Sequence, residues 1–93
     1  MKHFAVFLPM LDAEKSQQYR TDHLEYLALR ESEGRIFARG RFVDGAGGLV
    51  IYRAESEADV LEWVKQDPYV ARGARGYQIH EWDMVTEAVL PSK

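Results

Sequence analysis

"RIFARGRFVDGAGGLVIYRA", residues 35–54, holds the reading of the fold. Two runs rich in aromatic and β-branched residues, 35–43 and 48–54, flank "DGAG", whose Asp44-Gly45 pair supplies the positive φ that a hairpin turn needs. The question for the rest of the chain is what enters and leaves this hairpin. On the N-terminal side Gly34 serves as a left-handed cap, closing an amphipathic helix over about 13–33 in which Tyr19, His23, Tyr26, Leu27 and Arg30 recur at three and four. Before it stands "KHFAVFLP", 2–9, apolar on both alternations. Phe4, Val6 and Leu8 lie on one face and Ala5 and Phe7 on the other, the pattern of a strand covered on two sides.

On the C-terminal side Ser56 followed by Asp59 marks a helix start, with a hydroxyl for a free backbone N–H and an acid for the positive end of the dipole. Val60, Leu61 and Val64 are expected to face inward until Pro68 forces the preceding residue out of the helical region. "ARGYQIHEWDMV", 74–85, reads as a last strand. The order is βαββαβ, and the right-handed rule for crossovers places both helices on one face of a four-stranded antiparallel sheet. The expectation is a ferredoxin-like α+β domain over 1–85, followed by a tail, 86–93, that carries no readable motif. The other sheet face is left apolar, and a sheet-to-sheet homodimer is the natural cover for it.

Composition bounds the function. A 93-residue chain hides only about 65% of its unfolded surface, which leaves a thin core and adds weight to self-association. Twelve basic against fifteen acidic residues, without a basic run, lack the footprint of a phosphate-backbone binder, so no nucleic acid is expected as partner. The chain has no cysteine, which excludes disulfides and thiolate chemistry. The N-terminal apolar run is too short to span a membrane and lacks a small-residue cleavage site, so a cytoplasmic protein without membrane contact is expected.

His23 sits on the buried stripe of its helix, where a desolvated imidazole needs a partner for at least one ring nitrogen. It reads either as a core histidine bonded to a backbone carbonyl or as a general base or nucleophile. Asp67 reads either as an Asp-Pro turn former or as the group that accepts the other ring N–H of His23 and holds its tautomer. Arg20, three residues before His23, projects from the same side, as a solvated cation or as a clamp for a carboxylate, phenolate or developing enolate. Tyr69 packs, or lines that pocket. Gly40 inside a strand marks a bulge or a close backbone approach to a ligand. His3 and His80 stand alone with no second ligand at metal spacing, and "DGAGGL" precedes a strand rather than the helix a phosphate loop requires, so no metal and no cofactor are expected.

Arg20-x-x-His23-Leu24, Glu33-Gly34-Arg35, Gly40 after a small-residue strand, Asp67-Pro68-Tyr69 and Ile79-x-x-Trp82 together resemble the YciI-like, or YCII-related domain, family over residues 2 to about 84. The resemblance implies a ferredoxin-like subunit of the dimeric α/β-barrel superfamily and homodimers. It also implies a pocket whose histidine and aspartate, matching His23 and Asp67, are proposed as catalytic. A family member with a known reaction is a dehydrochlorinase of chlorinated hydroxyhydroquinones. One departure follows Gly40, where Arg41 stands in place of a frequent proline, leaving pocket shape and substrate open. Two functions are carried forward. One is a cofactor-independent enzyme using a His–Asp dyad for isomerisation, hydrolysis or elimination on a small molecule. The other is a non-catalytic dimer that binds a small ligand, with assembly beyond the dimer left open.

Overall fold

The computed structural model describes residues 1–85; the tail 86–93 lies outside the described residues. Its elements are β1 (Lys2–Pro9), α1 (Ala13–Gln18), α2 (Arg20–Ser32), β2 (Ile36–Arg41), β3 (Gly47–Ala54), α3 (Glu57–Gln66), α4 (Pro68–Ala71) and β4 (Gln78–Trp82). The strands form one sheet in the order β2-β3-β1-β4, each neighbouring pair antiparallel. This is the expected split βαβ plan, with the hairpin β2–β3 at one edge and β1 inside. Gly34 and Gly45 adopt the positive φ read from the sequence, 78° and 85°.

The helices share one face of the sheet. Phe4, Val6 and Leu8 of β1 and Val50 and Tyr52 of β3 pack there against Leu27 of α2 and Val60 and Val64 of α3. Each such side chain, taken fully from water, contributes about 1.5–3 kcal/mol before the entropy of ordering it. Leu61, expected inward, is only half-buried, because one residue of helical rotation carries it to the margin of the stripe that holds Val60 and Val64. The opposite face presents Ala5, Phe7, Leu49 and Ile51, with Phe42 edge-on to Phe7 and Phe37 edge-on to His3.

Four local features differ from the sequence reading. The first helix is broken at Tyr19, whose φ and ψ of −100° and 12° separate α1 from α2; no glycine or proline marks the joint. A short helix, α4, follows Asp67, since Pro68 at its first position fixes φ and loses no intrahelical hydrogen bond. The last strand starts only at Gln78. Ahead of it, Ala74 N–H and Arg75 N–H are tied to Tyr69 O, and Gly76 N–H to Pro9 O, so that 74–76 wraps the end of α4 against the β1–α1 junction. The bulge anticipated at Gly40 occurs earlier, between Ile36 and Ala38. Beyond it the alternation reverses: Arg39 pairs with Val50 and Arg41 with Gly48, so both arginines lie on the helix side of β2.

Tyr52 is 1% exposed, and burial pushes its phenol well above the usual range, with the Asp67 carboxylate and the Tyr26 phenol adding to the rise and Arg30 opposing it. Burial raises Tyr26 and Tyr69 as well. A phenol raised in the folded state contributes stability that is complete below the unfolded tyrosine pKa of about 10 and is lost as pH rises towards the folded value. Thermal unfolding followed by circular dichroism is therefore expected to show a Tm falling steadily above about pH 10. Tyr52→Phe is expected to make that fall shallower. An unchanged slope in the variant would show that Tyr52 does not carry the alkaline instability.

Candidate active site

The chain brings His23 and Asp67 together through two local devices. α2 places His23 on its buried side, one turn ahead of Leu27, and His23 is 8% exposed. Asp67 stands between α3 and α4 with an extended backbone, φ −60° and ψ 127°, and is 1% exposed. Its Oδ1 accepts two hydrogen bonds, from Tyr69 N–H at 3.0 Å and from His23 Nδ1 at 2.8 Å. One oxygen thus both caps α4 and meets the histidine ring. A carboxylate only accepts, so in the neutral ring the tautomer that fits this contact has its proton on Nδ1 and a free lone pair on Nε2. Nε2 has no hydrogen-bond partner among the described residues.

Tyr69 fixes the plane of the imidazole. The two rings are stacked with centroids 3.8 Å apart and an interplanar angle of 11°. The Arg75 guanidinium lies 4.4 Å from the same Tyr69 centroid. A parallel imidazole leaves no room for a guanidinium on its own side, so Arg75 takes the other face and Tyr69 is held between them. Burial raises the Tyr69 phenol, Arg75 and Arg20 pull it down, and Asp67 pushes it up.

These groups border a cavity of about 330 Å³ between α1–α2 and the end of the sheet where β1 finishes and β3 begins. Arg20, His23, Gly40 and Tyr69, singled out in the sequence, all line it. Asp67 does not; it stands behind His23. Gly40 takes part through its backbone, since a Cβ there would meet nothing within 4 Å. The polar lining side chains that sequence reasoning missed are Ser16, Gln17, Arg39, Arg41 and Arg75. The bulge in β2 turns Arg39 and Arg41 inward. Arg75 is delivered by the wrap of 74–76, and its Nε donates to the buried Ser16 hydroxyl at 3.1 Å. Only Arg41 carried a signal in the sequence, as a departure from the family pattern.

The lining includes Arg20, Arg39, Arg41 and Arg75 and no aspartate or glutamate. Arg39 is partly neutralised by Glu31 at 3.4 Å. His3 and His80 lie on the opposite sheet face, paired across the strands with Trp82 and Ala5, and neither borders the cavity. Among the described residues no cluster of histidine, aspartate and glutamate could hold a metal ion, and no helix is long and apolar enough to cross a membrane.

The chain is thus a four-stranded α+β domain with a buried His–Asp pair at the wall of a small cavity. The chain belongs to the YCII-related domain family, whose sequence model matches residues 2–83. A solved structure of similar fold is 5-chloro-2-hydroxyhydroquinone dehydrochlorinase from Burkholderia phenoliruptrix AC1100, in complex with 2,5-dihydroxybenzoquinone. It is 20% identical, the match covers 90% of this chain and 96% of that one, and the TM-score is 0.78. At that identity the likeness concerns the fold. No curated protein matches the sequence closely enough to count as a relative.

Proposed function

We propose that the chain is a cofactor-independent enzyme acting on a single-ring or similarly small molecule, with His23 as general base and Asp67 as its orienting partner. The observation that carries this reading is the 2.8 Å contact of Nδ1 with Asp67, which leaves Nε2 as the one free basic atom of a buried ring that lines the cavity. In the reaction Nε2 takes a proton from a substrate O–H or C–H. The electron pair left behind becomes a phenolate or enolate, and Arg20 stabilises it. Returning the proton to another atom gives isomerisation, and expelling a leaving group gives elimination, the reaction type named for the dehydrochlorinase of similar fold. Tyr69 keeps the imidazole plane fixed throughout.

The test is a panel of single-ring phenols and enolisable acids incubated with the protein in deuterated water and followed by proton NMR. Exchange of carbon-bound hydrogens, or release of a leaving group, is the expected result. Binding of panel members without any exchange would favour the second reading, a ligand-binding protein whose arginine-rich wall holds an anion.

The apolar sheet face supports a homodimer in which two sheets meet through Ala5, Phe7, Leu49 and Ile51. Sedimentation is expected to give a dimer at micromolar concentration. Ala5→Glu, which places a charge in the middle of that face, is expected to shift it to monomer while far-UV circular dichroism is kept. A monomeric wild type would remove this part of the proposal.

A further inference from the structure

Arg75 is 8% exposed and borders the cavity. Its Nε is satisfied by Ser16 and its flat face by the Tyr69 ring, but its two terminal nitrogens have no hydrogen-bond partner among the described residues, and it makes no ion pair there. Nη1 lies against the backbone of β3, where a Cβ on Gly48 would be in ordinary van der Waals contact with it at 3.5 Å. At 8% exposure the guanidinium has lost most of its hydration, and its terminal nitrogens, which keep some solvent access, are where an anion entering the cavity would meet it. Arg20 and Arg41, both solvent-exposed, border the same cavity and add to its positive charge without an ion pair among the described residues. This positive lining does not follow from a basic chain, because the formal net charge is −3.

The occupant can be narrowed by shape. With Nε bound to Ser16, the free end of the Arg75 fork presents two parallel N–H groups, the geometry that a planar carboxylate matches bidentately. Beside its arginines the wall carries the apolar side chains of Leu8, Leu24, Leu27 and Val50, and a cavity of about 330 Å³ is at the small end for ligand sites. We propose that the cavity selects a small planar carboxylate, gripped by Arg75 through its two terminal nitrogens, with the ring or chain of the molecule reaching along Tyr69 to His23 Nε2. This names the substrate class of the reading above and rests on it only for the reaction, since binding is measured without turnover. Failure of the dyad leaves the binding result untouched, and failure of binding leaves the dyad's own test standing.

The probes are benzoate, benzamide and inorganic phosphate, titrated into the ¹⁵N-labelled full chain. Benzoate is expected to shift the Arg75 Nε–H signal and the Tyr69 amide together, and benzamide, its neutral isostere, to bind at least tenfold more weakly. Arg75→Met is expected to weaken benzoate at least tenfold, with circular dichroism as the check on folding. Arg75→Lys keeps the charge but loses the fork, and is expected to weaken benzoate several-fold. Equal binding of benzoate and benzamide, or wild-type affinity in Arg75→Lys, would overturn the assignment. Phosphate that displaces benzoate at equal affinity would overturn the planar-carboxylate selection.

Discussion

His23→Gln is expected to leave the chain folded and to lower kcat/KM by about 10²–10⁴-fold, the usual worth of a positioned general base. Glutamine suits the test because its side-chain amide can still donate to the Asp67 Oδ1 that accepts from His23 at 2.8 Å, so the buried carboxylate keeps a partner. It also suits the interior of α2. What it lacks is a basic nitrogen facing the cavity. The measurement is steady-state kinetics on whichever panel member turns over, with thermal unfolding in parallel. Retained activity would eliminate His23 as the base.

Asp67→Asn separates two roles that a triad-like arrangement usually confounds. The same Oδ1 accepts from both His23 and Tyr69 N–H, and the backbone donor holds an acceptor oxygen at that place. An asparagine therefore keeps its oxygen, not its NH₂, towards the imidazole, and the tautomer with a free Nε2 persists. Only the negative charge opposite the developing imidazolium is lost. A charged acceptor exceeds a neutral one by about 1 kcal/mol or more, so the expected loss in kcat is roughly tenfold, well short of that for His23→Gln. A loss as large as that of His23→Gln would mean that the amide had flipped and that Asp67 acts chiefly by setting the tautomer.

How much of this was legible in the sequence follows from where each residue's position is determined. β1 and the hairpin were readable because alternation and an Asp-Gly turn are local, and Gly34 and Gly45 sit where only local backbone geometry is at stake. His23 and Asp67 were readable as residue types on the right elements, but their contact spans 44 residues and no local pattern contains it. Arg39 and Arg41 escape the alternation rule that works elsewhere. Counting by twos from the buried Ile36 puts residues 38 and 40 on the helix side, and a single bulge exchanges them for 39 and 41. Arg75 is the extreme case, since its partner Ser16 is 59 residues away and its burial depends on 74–76 folding back on Pro9 instead of entering the strand.

Gly47→Ala is expected to be the most destabilising small substitution in the hairpin, because two independent obstacles coincide there. Gly47 has a φ of 140°, a conformation that side chains rarely adopt, and a Cβ built on it would lie 2.1 Å from the Leu8 carbonyl oxygen. The obstructing atom is backbone of the paired strand, Pro9 standing directly opposite Gly47, so no rotamer change relieves it. Either the β1–β3 ladder opens at that end or the turn rearranges, and the first course also loses the hydrogen bond from Phe42 N–H to Gly47 O. Backbone strain alone is worth about 1–3 kcal/mol, and with the displaced strand end the total is expected near or above 3 kcal/mol. For a domain of this size that corresponds to a fall in Tm of roughly 12–24 °C. Gly40→Ala provides the contrast, since a Cβ there meets nothing within 4 Å and the backbone needs no special φ. Its Tm is expected to stay within a few degrees of wild type. Because Leu8 and Gly48 border the cavity, the strand end that Gly47 secures is also a wall of the site. Any Gly47→Ala protein that still folds is therefore expected to lose ligand affinity, whereas equal Tm values for the two glycine variants would show that the strand end yields without cost.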